Sequence, residues 1–386
     1  MQEISGKRRR TAVWLLSLPL LGPFTASRAR ITGHDVDVDE AVATAAASFM
    51  ADARAVGLSV GVIHAGKTSS YHFGTVSKHR RSLANDRTIY PIASLTKTFT
   101  GTLLAQAQYE GKLKLDDDIR KYLDEDYPNL AFEQKPILVK HLVNHVSGLP
   151  GLLPDKREAA PSFQSDTPYP ERLHKLVATS TRADFYADLH RVKLTAPPGT
   201  RFRYSNAGAQ LAGYILERLY GVGFEMLVQQ RIAAPLGMRD TFITPNTEQK
   251  SRLVDGYDET GRPQPYFPEQ SQAAGALKSS LPDMLAYARW HMAEHDPAIR
   301  LSHQPMDRDG DYTAGLNWQL LRKDADRVVF QDGSHPGFAC LMVLYPERGH
   351  AIVLLSNEID SGTMGRLRVL ANGITTALYA DALTVP

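Results

Sequence analysis

Apolar positions along this chain change period twice. Residues 39–53 are alanine-rich with apolar positions at helical spacing, which predicts a first helix. Residues 58–64 and 69–76 then alternate as a strand pair around the short turn Ala65-Gly66-Lys67. From Ser94 to about Met238 the pattern is mostly helical, with Pro/Gly-rich loops at 147–154 and 197–200. Strand-like runs return at 328–332, 338–345 and 351–356, and an amphipathic helix over 363–379 closes the chain. Strands thus occur at both ends, with helices between. The economical arrangement is an α/β fold: an antiparallel sheet assembled from both chain ends and flanked by helices, plus an inserted all-helical domain. The pattern places the sheet domain at 33–92 and 270–386 and the helical domain at 93–269.

The N-terminus has its own pattern. Lys7-Arg8-Arg9-Arg10 precedes a short apolar core with Trp14, Leu15, Leu16, Leu18, Leu20 and Leu21, and small residues follow at Thr25, Ala26, Ser27 and Ala29. This is the layout of a signal peptide over residues 1–29, and predicts a periplasmic or secreted protein. The apolar run is short for a membrane span and is interrupted by Pro19 and Pro23, so a retained anchor is the second choice. Cleavage would remove five basic residues (Lys7, Arg8, Arg9, Arg10, Arg28) and one acid (Glu3), taking the formal charge from +2 to about −2.

Composition excludes more than it assigns. The 386 residues, 43% hydrophobic and 22% charged, are those of an ordinary globular chain. A near-neutral charge gives no reason to expect nucleic acid as a partner, and the run Lys78-His79-Arg80-Arg81 reads as a solvated turn. One cysteine, Cys340, rules out an internal disulfide; its apolar surroundings place it in a core.

Three segments carry candidate chemistry. In Ser94-Leu95-Thr96-Lys97 a serine precedes a lysine by three residues at the opening of a helix marked by Phe99, Leu103, Leu104 and Ala107. Positions i and i+3 share a helix face, so the amine of Lys97 can reach the hydroxyl of Ser94. A serine needs such a base to act as a nucleophile. In Tyr204-Ser205-Asn206 a phenol able to relay a proton stands two residues from an amide able to hold both an amine and a carbonyl. The third segment runs from Gln331 through Asp332, Gly333, Ser334, His335 and Pro336 to Gly337-Phe338. A glycine at the end of a strand lets a substrate approach the backbone, whose N–H groups can stabilise an oxyanion.

Taken together, these segments resemble the serine β-lactamases of class C and their penicillin-recognising relatives, which include D-alanyl-D-alanine carboxypeptidases, amidases and esterases. The stretches 142–150, 235–241 and 274–280 match as well, so the likeness spans about residues 35–380. It implies a β-lactamase-like fold and a serine hydrolase that needs no metal or organic cofactor. It implies Ser94 as nucleophile, Lys97 and Tyr204 as the proton-transfer pair, and Asn206 as a positioner of lysine and substrate. Relatives carry Lys-Thr-Gly or His-x-Gly in the third motif. Counting back from Gly337-Phe338 puts Gln331-Asp332-Gly333 in that slot, with Ser94 and Ser334 supplying the oxyanion N–H groups. Register His335-Pro336-Gly337 is the alternative. Gln331 in place of a cation points away from carboxylate-bearing substrates and toward a neutral ester, amide or peptide. Two competing signals remain. His291-Met292-Ala293-Glu294-His295 has the spacing of an inverted zinc motif, but reads as a solvated helix end because Asp296-Pro297 follows at once. His145 reads as a loop hydrogen-bonder.

Overall fold

The computed structural model describes residues 11–12, 37–80, 82–155, 174–175, 177–309, 312–323 and 326–386. Apart from Thr11 and Ala12, the expected leader lies outside these residues. Nine strands form one sheet: β1 (Thr11–Ala12), β2 (Gly57–His64), β3 (Lys67–Gly74), β4 (Asp307–Asp309), β5 (Tyr312–Ala314), β6 (Gln319–Lys323), β7 (Asp326–His335), β8 (Phe338–Tyr345) and β9 (His350–Ser356). Their order is β1-β3-β2-β9-β8-β7-β6-β5-β4, antiparallel except at the β1–β3 edge. The sheet is therefore built from both ends of the chain: β2 joins the C-terminal strands through β9, with Leu58 opposite Ser356 and Ile63 opposite Ala351. The turn between β2 and β3 places Ala65 and Gly66 at positive φ, the twist a tight hairpin requires.

Side chains alternate across the sheet and give it two different faces. On the back, Val60, Val62, Phe330, Leu341, Val343, Ile352 and Leu354 meet two helices, α1 (Val38–Met50) and the C-terminal helix Thr363–Leu378. α1 starts where Asp37 accepts a hydrogen bond from Asp39 N, and buries Val42, Ala46 and Phe49 one turn apart. The front packs on a larger cluster that includes helix α2 (Thr96–Tyr109), helix α3 (Asn206–Tyr220) and helix α4 (Leu281–Ala293). Shorter helices, among them Val139–Val143, Arg182–Leu189 and Phe224–Val228, also pack on that side. The strands β4 to β6 carry no clear alternation in the sequence and were not among the expected elements; they extend the sheet past β7 by pairing alone.

Candidate active site

Helix α2 is buried although it is rich in polar residues. Thr96, Lys97, Thr98, Thr100 and Thr102 are all fully buried beside Phe99, Leu103 and Leu104. Burial of so many polar groups is tolerated only where each is hydrogen-bonded. Thr96 Oγ1 accepts from Leu277 N, Thr98 Oγ1 donates to Leu95 O at 2.7 Å, and Thr100 Oγ1 donates to Ala273 O at 2.8 Å. Asn317 Nδ2 donates to Lys97 O at 2.8 Å. The helix is pressed so closely against the segment before β6 that a Cβ at Gly101 would lie 2.1 Å from Leu316 O.

Ser94 sits in the 3₁₀ turn Ala93–Leu95 that leads into α2. Ala93 is held at φ +43°, a conformation that a residue with a side chain rarely adopts and that persists only where its surroundings enforce it. One turn on, Lys97 donates to Ser94 Oγ at 3.0 Å and to Ala274 O at 2.5 Å. Its Nζ lies 5.0 Å from the centre of the Tyr204 ring, and no carboxylate of the described residues pairs with it. Tyr204 Oη is 2.6 Å from Ser94 Oγ. Lys97 is sealed while Tyr204 is 42% exposed, so the serine hydroxyl lies between a buried amine and a phenol at the opening.

Tyr204 is placed by the start of α3. Ser205 caps that helix, accepting from Gly208 N at 2.9 Å, and donates to Pro150 O at 2.7 Å. His145, at φ +63°, accepts from Ser205 N through Nδ1, and its ring lies 4.4 Å from that of Tyr204. Burial, then the nearby Lys97, pushes its pKa down to about 3, so the ring is neutral at neutral pH. His145 therefore wedges the tyrosine against the site. Asn206, the first residue of α3, makes no hydrogen bond to Lys97. Its side chain instead lines a cavity of about 330 Å³ with Gln210, Ala274, Phe185 and Arg182.

The third segment lies on β7. Pairing with β6 stops at Phe330, whereas pairing with β8 runs on to His335. Past Phe330 one edge of β7 therefore has no strand neighbour, and that edge meets Ser94. A Cβ at Gly333 would lie 2.6 Å from Ser94 N and 3.1 Å from Ala93 Cβ, so only glycine permits this approach. Ser334 is exposed beside it. Gln331, two residues back on the same face, is buried: its amide donates to Asn317 O at 3.1 Å and accepts from Gln319 Nε2 at 2.7 Å. Its hydrogen bonds are thus made inside the protein rather than offered to the opening. His335 stacks on Phe267 at 4.1 Å with its Nε2 against Gly275. Burial, together with Lys97 and Lys278, pushes its pKa down to about 3. Pro336-Gly337 forms the hairpin turn, with Gly337 at φ +85°.

The structure thus brings Ser94, Lys97, Tyr204, Gly333 and Ser334 together, with Asn206 and His335 at the margins and Gln331 withdrawn. Asn317, Ala274 and Gln319 support the site from a loop, the short helix Gln272–Gly275 and a strand, and nothing in local spacing singled them out. The histidine motif is also rearranged. His295 is exposed, as expected of a solvated helix end, but His291 is fully buried and bonded to His303. Among the described residues no group of three or more His, Cys, Asp and Glu side chains is placed to hold a metal ion. Cys340 is fully buried on β8, 3.1 Å from Ile92 O.

The family model for Beta-lactamase matches residues 42–371. The chain belongs to the β-lactamase family. It is 27% identical over 362 residues to a β-lactamase of Pseudomonas fluorescens, covering 83% of this chain and 94% of the relative. It is 25% identical over 302 residues to the D-alanyl-D-alanine-carboxypeptidase/endopeptidase AmpH of Escherichia coli (strain K12), covering 73% and 74%. Among solved structures, a class C β-lactamase bearing a tyrosine-to-phenylalanine change superposes with a TM-score of 0.76 at 22% identity, covering 88% of this chain and 97% of that one. A β-lactamase/D-alanine carboxypeptidase from Pseudomonas syringae gives 0.74 at 22% identity, covering 88% and 98%. Family membership makes the protein a serine hydrolase, and the fold is that of the class C enzymes. No helix of the described residues is long and apolar enough to cross a membrane.

Proposed function

We propose that this family member is an exported hydrolase that forms an acyl-enzyme on Ser94 and prefers uncharged esters or amides. The observation that carries the reading is Ser94 Oγ, 3.0 Å from Lys97 Nζ and 2.6 Å from Tyr204 Oη. Ser94 Oγ attacks the substrate carbonyl carbon while its proton passes to the Lys97–Tyr204 pair. The carbonyl oxygen becomes an oxyanion facing the N–H groups of Ser94 and Ser334, across the gap that Gly333 keeps narrow. On collapse the leaving alcohol or amine takes the stored proton, and the acyl group stays on Ser94. Water then attacks, yields a proton to the same pair, and the acid departs as Ser94 recovers its hydrogen. Asn206, on the wall of the adjoining cavity, helps to position the substrate.

The preference for uncharged substrates follows from the third motif. Charge-assisted hydrogen bonds are the strong ones, and the slot that would offer a cation holds Gln331, already bonded to Asn317 and Gln319. A second reading, a D-alanyl-D-alanine carboxypeptidase or β-lactamase, is supported by the names of the relatives. A fluorophosphonate probe followed by mass spectrometry should place the label on Ser94; a label elsewhere removes the mechanism. Turnover of short p-nitrophenyl esters, nitrocefin and D-alanyl peptides then separates the substrate readings, and faster nitrocefin than ester hydrolysis selects the second. Export is supported by the basic and apolar runs before Ala29. N-terminal sequencing of protein from its native host should begin near Arg28 or Arg30, and an intact Met1 or Gln2 in a cytosolic fraction contradicts it.

A further inference from the structure

Behind the site, on the side of α2 away from Tyr204, a buried chain of hydrogen bonds runs from the surface into the helix. Glu294 Oε1 lies 2.6 Å from His303 Nδ1. His303 Nε2 lies 3.0 Å from His291 Nδ1, and His291 Nε2 lies 3.2 Å from Thr102 Oγ1. Thr102 Oγ1 also stands 2.9 Å from Thr98 O and 3.3 Å from Tyr287 Oη. Tyr287 in turn donates to Thr98 Oγ1 at 3.1 Å, and Thr98 donates to Leu95 O in the turn that carries Ser94. Thr102, His291, His303 and Tyr287 are all fully buried or within 1% of it. The rings are enclosed by Trp318, Trp290 and Tyr287. The charged groups facing the chain are Arg327, paired with Glu294 at 2.8 Å, and Glu347, paired with Arg327 at 3.0 Å. Arg300 reaches the backbone carbonyls of Glu294 and His295.

Counting protons shows that this chain has two polarities. Each ring nitrogen either carries a hydrogen or accepts one, and Thr102 has a single hydroxyl hydrogen. With both histidines neutral and Glu294 ionised, His303 Nδ1–H must donate to the carboxylate. His303 Nε2 is then an acceptor, so His291 Nδ1–H donates to it. His291 Nε2 is left as an acceptor and takes the Thr102 hydroxyl hydrogen. Thr102 therefore cannot also donate to Thr98 O. If one proton is added, His303 carries hydrogen on both nitrogens beside the carboxylate. Its Nε2–H donates to His291 Nδ1, His291 Nε2–H donates to Thr102 Oγ1, and the Thr102 hydroxyl turns to Thr98 O. One proton thus reverses every bond between His303 and α2. A threonine hydroxyl bonded to the carbonyl four residues earlier bends a helix slightly. Here that carbonyl belongs to the residue after Lys97, in the turn that sets the distance from Lys97 to Ser94.

We propose that Thr102, His291, His303 and Glu294 form a positioning relay for the catalytic helix, and that uptake of one proton by the relay switches the Thr102 hydroxyl from His291 to the Thr98 carbonyl and changes turnover. The proposal rests on Ser94 as nucleophile for its effect on rate, but not for the switch itself. Burial disfavours the added proton on either ring, whereas Glu294 favours it on His303, so the switch belongs to the acid side of the pH range.

The test uses the full chain and p-nitrophenyl acetate. In the wild type, kcat should show an acid-side ionisation that KM does not share. Thr102→Val keeps the shape and removes the hydroxyl; it should lose that ionisation and lower kcat by about threefold to tenfold, the usual size of a long-range coupling. Thr102→Ser should restore both. A folded Thr102→Val protein with a wild-type kcat profile overturns the proposal. ¹⁵N NMR of the ring nitrogens in Ser94→Ala protein needs no turnover and decides the matter if the valine variant does not fold. His291 should pass from the Nδ1–H to the Nε2–H tautomer as His303 gains a proton, and a single His291 tautomer throughout overturns it. A probe label found away from Ser94, with the tautomer switch intact, would instead fault the nucleophile assignment alone.

Discussion

Ser59 and Ser94 both stand at hydrogen-bond distance from a basic side chain, and only Ser94 lies at a site. Ser59 Oγ is 2.9 Å from His72 Nδ1, and His72 Nε2 is 3.0 Å from Asp86 Oδ1, the connectivity of a serine-histidine-aspartate triad. Yet Ser59 is fully buried on β2, with Tyr90 Oη 2.9 Å from the same oxygen. Sealed in this way, it cannot be reached by a substrate carbonyl carbon. Ser94 has a less familiar base, but it is partly exposed, sits on a turn strained at Ala93, and abuts the open edge of β7. Connectivity of donors and acceptors therefore does not distinguish a site from a structural tie. Access and a place for the developing negative charge do.

The largest expected contrast lies between these two serines. Ser94→Ala should abolish covalent labelling and turnover with the fold retained. Ser59→Ala should leave labelling at the wild-type rate and lower only the melting temperature, by the cost of a lost buried hydrogen bond, about 1 kcal/mol. Loss of labelling in a folded Ser59→Ala protein would break the comparison.

Next is the base. If Lys97 and Tyr204 act as one proton-transfer unit, either Lys97→Ala or Tyr204→Phe should cost roughly two to four orders of magnitude in kcat, and the double variant scarcely more. Additive losses would show that the two side chains work separately, and an unchanged Tyr204→Phe enzyme would remove the tyrosine from the mechanism.

The third prediction concerns acid. The pKa values of His145 and His335 are pushed down to about 3, and those of His141 and His350 to about 4, in each case chiefly by burial. The unfolded chain binds these protons near the ordinary value of 6.5. Stability is therefore fully present above that pH and is lost as pH falls toward 3, with each such ring contributing up to about 1.4 kcal/mol per pH unit. Urea midpoints measured at falling pH should drop accordingly, and His335→Gln should flatten the slope. A midpoint independent of pH between 6.5 and 4 would show that these rings are protonated in the folded state.

The smallest effect is expected at Gln331. Gln331→Lys should raise kcat/KM for a carboxylated ester relative to its neutral analogue by about tenfold, equivalent to about 1.4 kcal/mol. A ratio blind to residue 331 would mean that this buried position does not read substrate charge, and would turn attention to His335.

Local sequence was sufficient where the physics is local. The strand runs now seen as β2, β3, β8 and β9 alternate or stay apolar because one or both faces are covered, and the C-terminal helix, expected at 363–379, spans Thr363–Leu378 because its apolar stripe meets the sheet. Ser94 and Lys97 were legible for the same reason: their proximity is a property of one helical turn. Tyr204 and Gly333 were legible as candidate residues, but their placement beside Ser94 was implied only by likeness to a family, since 110 residues of chain separate Ser94 from its phenol. Tertiary structure decided the rest. It put a threonine-rich helix in the core by supplying the carbonyl of Ala273 to Thr100 and the N–H of Leu277 to Thr96. It withdrew Gln331 by placing Gln319 and Asn317 against it, and drew His291 inward toward His303. Apolar periodicity reports which side of an element is covered. It carries no information about which distant polar group will satisfy a buried hydroxyl, amide or ring nitrogen, and in this protein the chemistry depends on those pairings.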